Sequence, residues 1–407
     1  MRLVLAKQIL LLVTLFVYHW PAAAQPNPPT TSHLDALRTQ GYQALYNLDY
    51  NAARKYFQEM VQTAPDNPVG TECLATSIWL QELNEQWELK ASLYSTKSYS
   101  EEGDKPDPQQ AIDFRSFIRQ TKQLSQVRLR RDPHDQEALY LLGAAEGLEA
   151  AYFAGIERKF MSALRSAQDS VEHHRALLKT APNFHDAELT IGLYNYVVGD
   201  LPLPVKMLVS PMGVKGSKKR GLETLERVAR EGHWARDLAL VLLVDLYKRE
   251  KRWSDSITAA RDLVSRYPRN YLFKLQLADA LAHRTLSASS SAQADRVEVL
   301  NIFDSLISNG SKEKLPNLYF RYGETLLLLG NSAGAVKQLQ LVVNVSNTQP
   351  RLRMLSQLRL AQSLDLAGKR NDALSQYRVV VKSASNKQVQ DEARRGLREP
   401  YKQSRDQ

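Results

Sequence analysis

An all-α, right-handed solenoid of about sixteen helices is what this sequence predicts, and three observations lead there. No stretch alternates polar and apolar residues at strand period over a useful length. Apolar residues recur at helical spacing in runs closed by proline. Small residues also return at matching places in successive helix pairs: Gly143 follows Pro133 by ten residues, and Gly192 follows Pro182 by ten. A mid-helix glycine costs about 1 kcal/mol relative to alanine. Its repeated use therefore points to helix backbones that must approach closely.

The pattern is clearest in Leu34–Pro65. Gly41 lies on the first helix of that pair and Ala53 on the second. Phe57 follows Ala53 by one turn and shares its face, and Pro65 ends the unit because it cannot donate a backbone hydrogen bond. Val69–Trp87 then reads as a helix with Ile78, Trp79 and Leu83 on its apolar side. Ser95–Pro108 is a polar, Gly/Pro-containing loop, and Gln109–Arg131 is a helix closed by Asp132-Pro133. Ala138–Tyr152 and a long helix over about Gly155–Thr180 follow, so the 49 residues from Pro133 to Pro182 make an irregular unit. Asp186–Val198 is helical. Gly199–Gly216 interrupts the rhythm, because Pro202, Pro204, Pro211 and the glycines exclude a regular helix through it. Helical texture returns at Gly221–Arg230, and Asp237–Pro268 is again a helix pair. Tyr271–His283 and Val297–Ser308 flank a Ser/Ala-rich loop, Ser287–Ala292. Gly323, Gly330 and Ala335 mark one late unit; Ala361, Gly368, Ala373 and Tyr377 mark another, 38 residues on from Ala335 to Ala373. Gln388–Leu397 is a charged last helix suited to cap an open stack. The solenoid is expected to span residues 33–400, with a polar tail at 401–407.

Helix pairs carrying Gly, Ala, Phe and Pro in this order resemble the tetratricopeptide repeat. The resemblance is strong over 34–65, 316–342 and 354–380 and fair over 237–268. It implies an irregular tetratricopeptide-like solenoid whose concave face is lined by the first helix of each pair, and it implies a binding role without catalysis. A narrower run is similar to the centre of the tetratricopeptide repeat 39 family: Gly192-Leu193-Tyr194-Asn195-Tyr196, Leu201-Pro202-Leu203-Pro204, Met212-Gly213-Val214-Lys215-Gly216 and Gly221-Leu222-Glu223-Thr224-Leu225. That family includes a fungal mitochondrial outer-membrane protein that clears protein inclusions. This chain departs from it in carrying an export signal.

Residues 1–24 have the parts of a secretory signal peptide: the cations Arg2 and Lys7, a mostly apolar Ile9–Trp20, and the small residues Ala22-Ala23-Ala24. The apolar run is shorter than the roughly 20 residues a spanning helix needs. Cleavage would leave Gln25 first and a short extended leader to residue 32. The mature protein is expected to be bacterial, periplasmic or secreted. The single Cys73 cannot form an internal disulfide, and a small buried apolar role is expected for it. The formal charge of +10, less the two cations Arg2 and Lys7, leaves +8 on the mature chain. That bias suits acidic partners or plain solubility, and nucleic acid is not expected outside the cytoplasm.

Repeat phasing places Asp35, Arg38, Tyr42 and Tyr46 on the concave face, with Leu189, Leu193, Tyr196 and Val197, then Asp245, Lys248 and Arg249, then Phe320 and Glu324. Of these, Arg38, Tyr42, Tyr46, Leu193, Tyr196, Lys248, Arg249 and Phe320 are the candidate contacts to a protein or peptide ligand. The competing reading is that the aromatic ones only pack against the next helix pair. The Lys/Asn/Asn/Lys/Arg clamp with which chaperone-binding tetratricopeptide proteins hold a C-terminal carboxylate is absent. In the interruption, Pro202–Val209 is expected to anchor in the groove through Val205, Leu208 and Val209. Met212–Arg220 is expected to project as an exposed basic turn carrying Lys215, Lys218, Lys219 and Arg220, a surface suited to anionic lipid. Glu172, His173, His174, His185 and Asp186 are read as solvated helix residues, since adjacent histidines diverge by about 100° on a helix and do not share a tetrahedral site. No phosphate loop, nucleophile elbow or HExxH motif is present, so no metal and no cofactor are expected. Mass spectrometry of the native protein checks the export reading: it finds Gln25 at or near the N-terminus, whereas an intact Met1 in a membrane-embedded form contradicts it.

Overall fold

The computed structural model describes residues 31–89, 107–209, 213–287, 291–346, 348–384 and 386–402. The signal segment, the leader to residue 30, the loop up to residue 106, Met212 and the tail from residue 403 lie outside the described residues. Among the described residues there are eighteen α-helices and no strand. They pair in chain order as antiparallel hairpins. The first is α1 (Thr31–Tyr46) with α2 (Tyr50–Thr63), and the second α3 (Val69–Leu89) with α4 (Pro108–Arg131). Then come α5 (Gln136–Tyr152) with α6 (Phe160–Thr180), and α7 (Glu188–Asp200) with α9 (Lys218–Glu231), the short α8 (Leu203–Val209) lying between these last two. The series closes with α10 (Arg236–Arg249) and α11 (Trp253–Arg266), α12 (Tyr271–Thr285) and α13 (Ala292–Asn309), α14 (Leu315–Leu328) and α15 (Ser332–Asn344), and α16 (Pro350–Leu366) and α17 (Arg370–Ser383). The last helix, α18 (Lys387–Arg398), packs on α17 and α16. The result is the tetratricopeptide-like right-handed α-solenoid that the sequence predicts.

Side-chain caps start many of these helices. Asp49, Asp107, Asp135, Asn270, Asn331 and Asn386 each accept a backbone N–H of the first turn, which satisfies a donor that has no partner within the helix. The hairpins close at residues without side chains. A Cβ on Gly41 would stand 2.1 Å from the Phe57 ring, one on Gly143 2.5 Å from His174, and one on Gly323 2.6 Å from Leu339. Each glycine is on the first helix of its pair and each neighbour on the second, as the phasing predicts. Ala53, Ala335 and Ala373 are fully buried on the opposing helices.

The stack winds far enough to meet itself. Helix α3 touches α12 and α14 as well as its chain neighbours, and every residue from Pro68 to Leu80 is buried. At the tip of the first hairpin, Asn270 Nδ2 donates to the Tyr46 carbonyl at 2.7 Å, and the Arg269 amide donates to Asn47 Oδ1 at 3.3 Å. The Tyr46 and Tyr267 rings pack 5.0 Å apart beside these bonds.

Several expected boundaries move, each for a local reason. Thr31 and Ser32, read as leader, already belong to α1. The helix expected from Gly155 begins at Phe160, because Phe153–Glu157 forms a π-helical turn that Arg158 ends at φ +57. Ala292, read as loop, opens α13. Asp295 in its first turn is held by Arg284, at 2.7 and 2.8 Å. Pro202 and Pro204 do not keep helix out of the interruption. Pro202 precedes α8 and Pro204 sits in its first turn, where the missing N–H costs nothing. Tyr401 is not free tail, since its amide donates to Asp365 Oδ2 at 2.8 Å.

Replacing Gly323 by Leu would drive a whole side chain into Leu339. The expected loss is about 1–3 kcal/mol or more, read as a lower Tm. A variant that melts with the wild type would mean that the two helices do not cross at Gly323.

Candidate binding cleft

The winding of the stack leaves a cleft on the inner side, between α1, α3, α5, α7 and α10. Arg38, Tyr42 and Tyr46 of α1 face Glu72, Thr76 and Trp79 of α3, with Tyr140 from α5, Leu193 from α7 and Trp234 from the α9–α10 turn completing the wall. Asp186 places the tryptophan. Its Oδ1 accepts the amides of His233 at 2.7 Å and Ala235 at 3.0 Å, the residues on either side of Trp234. The indole then lies under the Arg38 guanidinium, 4.1 Å from ring centre to Cζ, a cation–π contact.

The charges in the cleft are few. Burial pushes the phenols of Tyr42, Tyr46 and Tyr140 up, so all three stay neutral. Glu72 Oε1 accepts the Thr76 hydroxyl at 2.8 Å. Glu72 Oε2 and Arg38 Nε are buried without a hydrogen-bond partner. Next to this polar chamber lies an apolar pocket of about 120 Å³ between α5, α6 and α7, lined by Ala150, Ala154, Ala163, Val197 and their neighbours. Gly147, Ala151, Thr190 and Leu193 border both spaces.

Four of the eight candidate contacts, Arg38, Tyr42, Tyr46 and Leu193, therefore share one cleft. The other four do not join it. Tyr196 is fully buried, and its hydroxyl donates to Glu250 Oε1 at 2.7 Å. Arg249 pairs with Asp200. Lys248 is buried against Asp279 at 3.1 Å. Phe320 is core, 2 % exposed. Tyr196 and Phe320 pack within the stack, Tyr196 between Gly221 of α9 and Arg249 of α10 and Phe320 in the core. Inner-face phasing alone did not find Glu72, Trp79, Tyr140 or Trp234. A Glu and a Thr one turn apart, Glu72 directly before and Thr76 within the mostly apolar stretch Cys73–Leu80, were the available signal.

The interruption differs from its expected form. It is the connection between α7 and α9, whose backbones touch: a Cβ on Gly221 would stand 2.5 Å from the Tyr196 amide nitrogen, and one on Gly199 2.4 Å from that of Lys218. Of the segment expected to anchor in the groove, Leu203 and Met207 are each 75 % exposed and Val205 is half-buried. The side chains of Leu208 and Val209 lie outside the described residues. The basic turn is the first turn of α9, capped by Ser217. Lys218 is part of the fold, its Nζ 3.0 Å from Asp200 and 2.5 Å from Glu250. Lys215, Lys219 and Arg220 remain exposed.

Of the residues read as solvated, Glu172 is exposed as expected, while the three histidines and Asp186 are held in the structure. His174 is 1 % exposed. Its Nε2 donates to the Tyr140 carbonyl at 3.0 Å, so Nδ1 accepts the Thr190 hydroxyl at 2.6 Å. His173 pairs with Glu146 at 2.8 Å, and His185 with Glu231 at 3.2 Å. Among the described residues no three His, Cys, Asp or Glu side chains gather to hold a metal ion, and no helix is long and apolar enough to cross a membrane. Cys73 is buried, as expected, and burial pushes its thiol up.

The fold and cleft define a tetratricopeptide-like helical-repeat protein. No family model and no curated protein sequence matches the chain. Among solved structures it is similar to the human IFIT1 dimer with m7Gppp-AAAA, at 10 % identity and TM-score 0.46 over 90 % of this chain and 85 % of that one. It is similar to yeast Tom70 at 11 % identity and TM-score 0.37, over 90 % and 95 %. A tetratricopeptide repeat protein from Parabacteroides merdae gives 12 % identity and TM-score 0.31, over 81 % and 99 %.

His174 makes the cleft wall acid-sensitive. Burial pulls its pKa from 6.5 down to about 4. Between those values the unfolded chain binds the proton and the folded chain does not. Its contribution is therefore full above pH 6.5 and lost as pH falls toward 4, by about 3 kcal/mol. Urea unfolding at pH 7 and pH 4 should show wild type losing that much more stability than His174→Gln. Equal losses would contradict a buried neutral imidazole.

Proposed function

We propose that this chain is a non-enzymatic scaffold that binds a protein or peptide segment in the cleft between α1, α3, α5, α7 and α10. The observation that carries the reading is the cleft itself: an aromatic-walled chamber with Arg38 and Glu72 in its lining, continuous with an apolar pocket. The aromatic walls and the adjoining apolar pocket supply affinity to a bound segment. The resemblance of residues 192–225 to the tetratricopeptide repeat 39 family supports the non-enzymatic part of the reading. The signal-like residues 1–24 support export, with the cleft acting in the periplasm or outside the cell.

A second reading rests on one exposed feature. Leu203 and Met207 stand out on α8, and the cations Lys215, Lys219 and Arg220 are also exposed. Apolar side chains with basic neighbours suit the surface of an anionic bilayer, as in a membrane-peripheral assembly factor.

A photoreactive residue in place of Leu193, used in the cells that make the protein, tests the first reading. It should give a discrete adduct that disappears when Ala151→Trp plugs the cleft, while the same probe at the exposed Gln58 gives none. Adducts that ignore the plug would contradict it. Flotation on anionic vesicles that is lost in Leu203→Ser/Met207→Ser would favour the second reading.

A further inference from the structure

The apolar pocket between α5, α6 and α7 is a slot with two different ends. Its inner end, at Gly147, Thr190 and Leu193, borders the chamber. Its outer end lies among Ala154, Phe160 and Leu201. From Gly147 to Ala154 along one wall the slot runs roughly 10 Å, at about 1.5 Å per residue. Nothing inside it calls for a polar guest. Leu164, Val197 and Val198 share the walls with alanines. The two hydroxyls at the inner end are engaged: Ser170 donates to the Gly143 carbonyl at 2.7 Å, and Thr190 donates to His174 Nδ1 at 2.6 Å. An apolar cavity of about 150 Å³ accepts a benzene-sized guest, so about 120 Å³ of apolar slot suits a stretch of hydrocarbon. A single leucine side chain is shorter than the slot, whereas a straight chain fills its length.

The outer end suits the rest of an amphiphile. Leu164 and Val198 form one buried cluster with Val214, and Phe160, Tyr194 and Leu201 pack on it. That packing holds Lys215, the exposed neighbour of Val214, at this end of the slot. Just past Leu201 come Leu203 and Met207, each 75 % exposed, and next to Phe160 comes Met161, 52 % exposed. Lys206 lies between the first two on α8, its Nζ donating to the Gly199 carbonyl at 2.7 Å. Among the described residues no carboxylate pairs with Lys206 or Lys215. The wall is also irregular here. Ala154 sits in the π-helical turn Phe153–Glu157, which Arg158 closes at φ +57. Such turns, and left-handed residues other than glycine, concentrate at functional sites.

We infer that the slot takes one acyl chain of an anionic amphiphile. The tail enters between α5, α6 and α7. Any length beyond the slot lies on Leu203, Met207 and Met161, and the anionic head stays outside beside Lys206 and Lys215. The inference rests on reading this pocket as part of the binding site and names the group that fills it.

Calorimetry and native mass spectrometry on the full mature chain, purified without detergent, test it. The ligands are hexanoate, octanoate and decanoate below their micellar concentrations, decanol, and a lysophosphatidylglycerol with a decanoyl chain. One fatty acid should bind per protein, tightening about fourfold per added methylene until the slot is full. Ala154→Leu and Ala167→Leu each fill the slot without touching a charge. Each should weaken decanoate at least tenfold, with Tm measured beside it, so that a variant that fails to fold leaves the decision to the other. Lys206→Gln combined with Lys215→Gln should weaken decanoate and spare decanol; equal losses would overturn the anionic head. The tighter of decanoate and the lysolipid identifies free acid or lipid as the source. Affinity that ignores chain length or both filled slots, or no binding by any of these ligands, overturns the acyl chain. A Leu193 adduct obtained alongside such a failure would keep the docking reading and assign the pocket to a polypeptide.

Discussion

One helix inside the superhelix sets the terms for the rest. Helix α3 is enclosed by its own hairpin, by α5, and across the interior by α12 and α14. A helix enclosed on every side must either be apolar throughout or have each polar group answered. This one carries Thr71, Glu72, Thr76, Ser77, Glu82 and Asn84, all buried. Most are answered locally: Ser77 donates to the Leu74 carbonyl at 2.7 Å, Thr71 meets Thr121 at 2.8 Å, and Asn84 donates to the Tyr50 hydroxyl at 3.0 Å. Glu72 accepts the Thr76 hydroxyl, and both residues line the cleft. The enclosure of α3 and the existence of a binding chamber are one fact of geometry.

Enclosure in turn depends on how closely each hairpin is drawn together. Glycines at the crossings let α1, α5, α7 and α14 settle onto their partners without an intervening Cβ. The α7/α9 pair shows the strongest demand, with glycine on both helices and backbone against backbone. Its long connection is compatible with that contact because Gly199 and Gly216 meet at the base of the loop, and Lys218 bridges Asp200 and Glu250. The interruption in the repeat is thus a connection between two helices of one unit, carrying the short α8, and not a break in the stack.

This explains what was legible in the sequence. Hairpin phasing depends on contacts between residues close along the chain, and there the signals of Gly41, Phe57, Gly323 and Ala335 translated directly into packing. Closure depends on residues more than two hundred positions apart, such as Asn47 with Arg269 and Tyr46 with Asn270, and no local pattern announces it. Inner-face positions were therefore identified as a surface, when winding had turned several of them into interior. Tyr196, Lys248 and Phe320 are of this kind. The helix 69–87 carried no repeat mark, yet it supplies Glu72, Thr76 and Trp79. His174 was hidden for a related reason: its partners Tyr140 and Thr190 sit on other helices, while its neighbour His173 suggested solvent.

The account stands on the first hairpin being held against α11 and α12, since that contact closes the interior over α3 and forms one wall of the cleft. Spin labels at the exposed positions Lys55 on α2 and Ser265 on α11, introduced as Lys55→Cys and Ser265→Cys, measure it directly by pulsed electron-electron resonance. The buried Cys73 is shielded from the label. A closed stack gives a single narrow distance distribution. A broad or multiple distribution would mean that the hairpin swings free, that α3 is not enclosed, and that the chamber is not a standing feature of the protein.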